Sequence, residues 1–240
     1  MVGPATIAVT RRVFPELIEA LAREFRVLAN QDDRVLDAAA LRDFVAGADA
    51  VLANPADRID AALLAAAPRL KIAANVAVGY NNLDLAACTA AGVLATNTPD
   101  VLTESTADHA WALLLAAARR VGESERWLRA GQWRRNTFEM FLGAEVHGTT
   151  LGVLGLGRIG RAIAHRAAGF GMPVIYHNRR RLAPEFEGGA RYVGFDELLA
   201  QADHLVIVLP YSPAVHHLIG AAELARMKPG AVLVNIARGG

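Results

Sequence analysis

Short aliphatic and β-branched runs alternate with stretches whose apolar positions recur every three or four residues, from one end of the chain to the other. Runs at 6–10, 26–29, 49–53, 70–76 and 93–95 predict strands. Phe14, Leu17, Ile18, Leu21 and Phe25 sit at helical spacing over 14–25, 36–45 predicts a second helix, and Ala-rich stretches separate the later strands. This first α/β set ends near Thr98 and Pro99. A long apolar helix over 101–119 and a shorter one over 123–130 follow. A second set opens near Thr149, with strands at 150–154, 174–177, 192–193, 205–209 and 231–236. These runs are almost continuously apolar, as in parallel strands covered on both faces. The alternation of strand and helix predicts parallel sheets.

The segment 131–143 breaks the pattern: it carries Trp133, Phe138, Met140 and Phe141 without helical or strand periodicity. Large apolar side chains in such a stretch predict an interface.

Composition narrows the function. A net charge of +1 gives no basic excess for nucleic acid. The single cysteine, Cys88, leaves no disulfide framework and no multi-cysteine metal site, and it fits a reducing compartment. The N-terminal apolar stretch is too short, and its charges too late, for a signal peptide. The longest apolar run, 110–118, is half of what a membrane span needs. A soluble, cytoplasmic protein that binds neither membrane nor metal is expected.

The strongest local pattern is Gly155, Gly157 and Gly160, a G-x-G-x-x-G between a predicted strand and a helix built on Ile159, Ala162, Ile163, Ala167 and Phe170. Gly155 suits the tight turn, Gly157 the approach of a pyrophosphate, and Gly160 close helix–strand packing. The helix opening at Arg158 and Ile159 offers N–H groups and a positive dipole end to phosphates. NAD sites carry an acid at the end of the next strand, for the ribose hydroxyls. Here that place holds His177, then Asn178, Arg179, Arg180 and Arg181, with no carboxylate before Glu185. Amide and guanidinium donors suit a 2′-phosphate, so NADP(H) is expected in preference to NAD(H).

Taken in order, Val76-Ala-Val-Gly-Tyr-Asn-Asn-Leu-Asp84, Thr96-Asn-Thr-Pro-Asp-Val-Leu-Thr103, Thr106-Ala-Asp-His-Ala-Trp-Ala-Leu-Leu-Leu115, the glycine fingerprint, Tyr176-His-Asn-Arg-Arg180, Leu209-Pro210 and Asn235-Ile-Ala-Arg-Gly239 resemble the D-isomer-specific 2-hydroxyacid dehydrogenases. Within that family the chain is most similar to glyoxylate/hydroxypyruvate reductases, including 2-ketogluconate reductases. The resemblance implies an α/β fold of two Rossmann-like domains with parallel sheets, one flavodoxin-like and substrate-binding over 1–98, the other NAD(P)-binding over 99–240 and incomplete in this sequence. It implies NADPH-dependent reduction of glyoxylate, hydroxypyruvate or 2-keto-D-gluconate to the D-2-hydroxy acid. It gives Arg238 the substrate's carboxylate or ketone oxygen, and the backbone N–H groups of Val78 and Gly79 the carboxylate. Thr106, Leu209, Pro210, Ile236 and Ala237 are implied to contact the cofactor. A homodimer through the nucleotide domain, with 131–143 as its arm, is implied as well.

The family's pattern continues after the arginine with a Glu and a proton-donating His, which do not follow Arg238 here, so weak turnover is expected of this chain. The histidines present (His109, His147, His165, His177, His204, His216 and His217) are read as packed or exposed rather than catalytic. A catalytically impaired nucleotide-binding fragment, or a corepressor-like NAD(P) sensor, is the alternative.

Overall fold

The computed structural model describes residues 4–239, and these form two compact units that meet in the chain between Asp100 and Val101. In the first, strands β1 (Thr6–Val9), β2 (Arg26–Ala29), β3 (Ala50–Ala53), β4 (Ile72–Asn75) and β5 (Leu94–Thr96) alternate with helices α1 (Pro15–Ala22), α2 (Ala38–Val45), α3 (Ala61–Ala66) and α4 (Leu85–Ala91). The strands are all parallel, in the order β2-β1-β3-β4-β5. That order reverses between β1 and β3, and ligands of such sheets sit beyond the strand C-termini near a reversal.

The second unit contains α5 (Thr103–Ala118), α6 (Val121–Arg129), β6 (Leu151–Leu154), α7 (Arg158–Arg166), β7 (Val174–His177), α8 (Pro184–Glu187), β8 (Arg191–Tyr192), α9 (Phe195–Gln201), β9 (His204–Ile207), α10 (Ala221–Leu224) and β10 (Val232–Asn235). Its parallel sheet runs β10-β9-β6-β7-β8, so the chain winds outward in both directions from β6. The α/β reading of two parallel sheets holds.

Local chemistry explains most boundaries. The carboxylates of Asp37, Asp60 and Asp84 accept backbone N–H bonds in the first turns of α2, α3 and α4. The helix expected over 36–45 therefore begins after Asp37, its cap. The helix expected over 14–25 is shorter, Pro15–Ala22, and buries no side chain. The strand expected over 205–209 is shifted to His204–Ile207, where His204 is buried and donates its Nε2–H to the Glu145 carbonyl (3.0 Å).

The second core is centred on Trp111 of α5, which stacks on Phe170 (centroids 4.6 Å apart) and donates its indole N–H to the Ile163 carbonyl (3.0 Å). In segment 131–143, Phe141 packs edge-on against Trp127 beneath the Arg120 guanidinium, whereas Trp133 and Phe138 remain exposed. Among the described residues, no helix is long and apolar enough to cross a membrane, and no cluster of side chains could hold a metal ion.

Asp203 ties the start of β9 to β6: it accepts from Thr150 N (2.9 Å) and from Lys228 Nζ (2.7 Å). Burial pushes its carboxyl pKa up, but these two donors outweigh it and hold the group below the usual range. A depressed carboxyl contributes stability above its unfolded pKa and loses it as pH falls through the folded value. Asp203→Asn is expected to lower unfolding free energy by about 1 kcal/mol at pH 7. Urea titrations should show that gap constant down to about pH 5 and closing below about pH 4.

Candidate active site

The glycine turn follows β6 directly. Gly155 has φ +106°, and a Cβ there would lie 2.8 Å from the Val208 carbonyl oxygen and 3.1 Å from Leu209 Cδ2. Gly160 packs its Cα against the turn, where a Cβ would lie 2.2 Å from the Gly155 oxygen. Gly157 differs from both: a Cβ there would meet nothing within 4 Å. Gly157 caps α7 in an extended conformation, and no side chain folds back over the first helical turn at Arg158 and Ile159. The first helical bond runs from Arg161 N to the Gly157 carbonyl (2.9 Å), so the earlier N–H groups point out of the helix end.

The end of β7 departs from the sequence expectation. The His177 carbonyl accepts the Gly155 N–H (3.0 Å), but its side chain turns away from the turn: its Nδ1 meets the Val193 carbonyl (2.9 Å) and its ring lies against Tyr192 and Phe195. Asn178 takes the place instead, accepting Leu156 N–H on Oδ1 at 2.7 Å. A side chain one residue past the strand is free of the strand's alternation, which is why counting to the strand end put His177 there. Arg181 leaves the expected arginine group too. It pairs with Glu187 (2.8 Å), which also accepts the Tyr176 hydroxyl (2.7 Å). The two donors, Arg181 foremost, hold the Glu187 carboxyl below its usual range; burial, then Glu187, raises the Tyr176 phenol. Arg179 and Arg180 are exposed and form no ion pair with a described residue.

Beyond β10, Asn235 folds the chain: its Oδ1 accepts from Ala237 N (2.9 Å) and its Nδ2 donates to the Arg238 carbonyl (3.1 Å). Thr106 shares a cavity of about 430 Å³ with Ile236 and Ala237. Ser105, His109, Leu113 and Asn235 complete its wall. The sequence reading had missed these four. The spacing of Ser105, His109 and Leu113 at four residues along α5 was a usable signal for one exposed stripe. His109 is exposed rather than packed, contrary to one of the two readings offered for the histidines. Leu209 and Arg238 line a neighbouring cavity of about 210 Å³, while Pro210 is exposed. The Arg238 guanidinium is exposed, donates only to the Ala237 carbonyl (2.9 Å), and has no acidic partner among the described residues.

In the first unit, Val78 and Gly79 lie in the loop after β4, half-buried. The carbonyl of Val78 accepts from Asn97 Nδ2 (2.8 Å) and that of Gly79 from Asn75 Nδ2 (2.8 Å). Neither N–H has an acceptor among the described residues.

A parallel sheet that reverses direction beside a glycine turn, with helix N–H groups beyond it, defines a dinucleotide-binding α/β protein. Residues 111–240 match the D-isomer specific 2-hydroxyacid dehydrogenase, NAD binding domain. The chain is 46% identical over 239 residues to a glyoxylate reductase of Thermococcus onnurineus (strain NA1), covering 97% of this chain and 71% of that protein. The solved structure of a putative D-isomer specific 2-hydroxyacid dehydrogenase, NAD-binding, from Polaromonas sp. JS6 66 superposes with TM-score 0.91 at 36% identity, over 99% of this chain and 75% of that one. A glyoxylate reductase from Paecilomyes thermophila superposes with TM-score 0.86 at 35% identity, over 99% and 75% of the two chains. The chain belongs to the D-isomer-specific 2-hydroxyacid dehydrogenase family of nicotinamide-dependent enzymes.

The turn fits that cofactor, because the space beside the Gly157 Cα is open while Gly155 and Gly160 are closed by protein. The three glycines therefore separate by experiment. Gly160→Ala is expected to cost about 1–3 kcal/mol of stability through overpacking. Gly157→Ala should change stability by less than about 1 kcal/mol yet weaken nicotinamide dinucleotide binding about tenfold, by displacing the phosphates. Thermal unfolding and fluorescence titration with NADPH and NADH check both.

Proposed function

We propose that this protein reduces a small 2-oxo acid with NADPH, glyoxylate first, with hydroxypyruvate and 2-keto-D-gluconate in the same substrate class. The observation that carries the coenzyme preference is the end of β7. Asn178 meets the glycine turn there, Arg179 and Arg180 stand exposed beside it, and residues 174–184 contain no carboxylate. An acid at that position would repel a 2′-phosphate; two unpaired guanidinium groups attract it. Gly155, Gly157, Arg158, Ile159 and Gly160 hold the pyrophosphate, and Thr106, Leu209, Pro210, Ile236 and Ala237 hold the remainder of the coenzyme. When bound, the coenzyme would supply hydride to the substrate's C2, and the alkoxide so formed would take its proton from solvent water.

The chain's own residues serve the 2-oxo acid. The N–H groups of Val78 and Gly79 take its carboxylate. Arg238 holds the carboxylate or the ketone oxygen with a charged, planar donor fork, which stabilises negative charge as it grows on that oxygen. The similarity to glyoxylate reductases supports glyoxylate as the first substrate to test. Exposed Trp133, Phe138 and Leu142 support pairing of two copies through segment 131–143.

Arg179→Ala is expected to weaken NADPH binding about tenfold, the loss of one charged hydrogen bond, and to change NADH binding less than twofold. Equal affinities for NADPH before and after the substitution remove the coenzyme assignment. Steady-state assays with glyoxylate separate turnover from binding alone, and NADPH binding without turnover would favour a sensing role. Phe138→Asp should convert a dimer into a monomer in size-exclusion chromatography with light scattering; an unchanged mass removes the arm from the interface.

A further inference from the structure

We propose that Asn97 is a positioning residue that aims the Gly79 N–H at the substrate's carboxylate. This deepens the reading above and rests on it. In a trans peptide the carbonyl and the following N–H point to opposite sides of the plane. Whatever holds the carbonyl therefore directs the N–H. After β4, consecutive carbonyls are each held from within the first unit. Ala77 O accepts from Thr98 N (3.0 Å), Val78 O from Asn97 Nδ2 (2.8 Å) and Gly79 O from Asn75 Nδ2 (2.8 Å).

The first bond orients the Val78 N–H and the second orients the Gly79 N–H. Only the second of these two comes from a side chain. Asn75 is buried and paired amide to amide with Asn82 (3.1 and 3.3 Å), and Asn82 also donates to the carbonyls of Asn54 (3.2 Å) and Asp57 (3.1 Å). The carbonyl side of the loop is thus fixed, and the half-buried N–H groups of Val78 and Gly79 are left with no acceptor among the described residues. Backbone donors presented this way form an anion-binding concavity. Asn97 acts through one peptide plane.

The test uses the ¹⁵N-labelled chain with NADPH, titrated with sodium oxalate, alongside glyoxylate kinetics. Oxalate should move the Val78 and Gly79 amide signals in the parent chain. Asn97→Asp keeps the side-chain shape but sets a carboxylate against the Val78 carbonyl, where it cannot donate. Oxalate affinity should fall, and glyoxylate KM rise, about 10- to 100-fold, the usual cost of a misaimed contact. NADPH Kd and kcat should stay within about twofold, because those interactions do not pass through this peptide. Acidification to about pH 5 should recover part of the affinity, since a protonated Asp can donate again. Unchanged oxalate affinity in folded Asn97→Asp, or an equal loss for NADPH, overturns the proposal. If that variant and Asn97→Ala both fail to fold, the parent chain decides. There the Asn97 side-chain amide signals should follow the same saturation curve as Gly79, and a still Asn97 overturns it. Oxalate shifts without glyoxylate reduction would fail the functional reading and leave the positioning intact. Glyoxylate reduction with a fully active Asn97→Asp would do the reverse.

Discussion

A trans peptide that gives its carbonyl to one side must present its N–H to the other, and both units exploit this at the C-terminal ends of their strands. In the second unit the Gly155 carbonyl turns inward, where it accepts from Gly157 N (2.9 Å) and lies against the Cα of Gly160. The Leu156 N–H of the same peptide then faces the other way and meets Asn178. In the first unit Asn97 and Asn75 hold the carbonyls and leave the N–H groups of Val78 and Gly79 outward. In the first unit, neutral backbone donors aimed by neutral amide side chains form the proposed anion site. Their direction is set by packing and does not change with pH.

Charge enters where geometry alone cannot discriminate. Three arginines follow Asn178, but they do different work. Arg181 is drawn into a pair with Glu187, which in turn fixes the Tyr176 hydroxyl, and Tyr176 also accepts Leu182 N–H (3.0 Å). That arrangement anchors the chain leaving β7, while Arg179 and Arg180 stay exposed, with no ion pair among the described residues. An Arg-rich composition makes any one arginine weak evidence. Unpaired guanidinium groups beside a glycine turn, with Asn178 at the tip, are more specific.

How much of this could be read from the chain follows from the range of the interactions. The strand at Val174–His177 matches its apolar run, because a parallel strand covered on both faces must be apolar on both. The glycine turn was legible for the same reason: turn, approach and packing are all local. The roles of His177 and Asn178 were not, since they depend on whether a side chain continues the strand or leaves it. Arg181 could not be separated from its neighbours without Glu187, six residues on, folding back. The Asn97 contact with Val78 spans nineteen residues and has no periodic signature. Whether His109 is packed or exposed was not legible, because α5 is apolar over most of its length and only the end of β10 shows which stripe stays open.

The two close approaches in the turn also explain why glycine is needed at positions that do unlike things. At Gly160 a methyl group would collide with backbone, so the requirement comes from the fold and would persist without any ligand. At Gly157 the protein makes no such demand: the backbone is in an extended region open to any residue, and the space beside it is clear. Packing accounts for Gly155 and Gly160 and leaves Gly157 unexplained. On the proposed reading, the third glycine serves the approach of the dinucleotide's pyrophosphate.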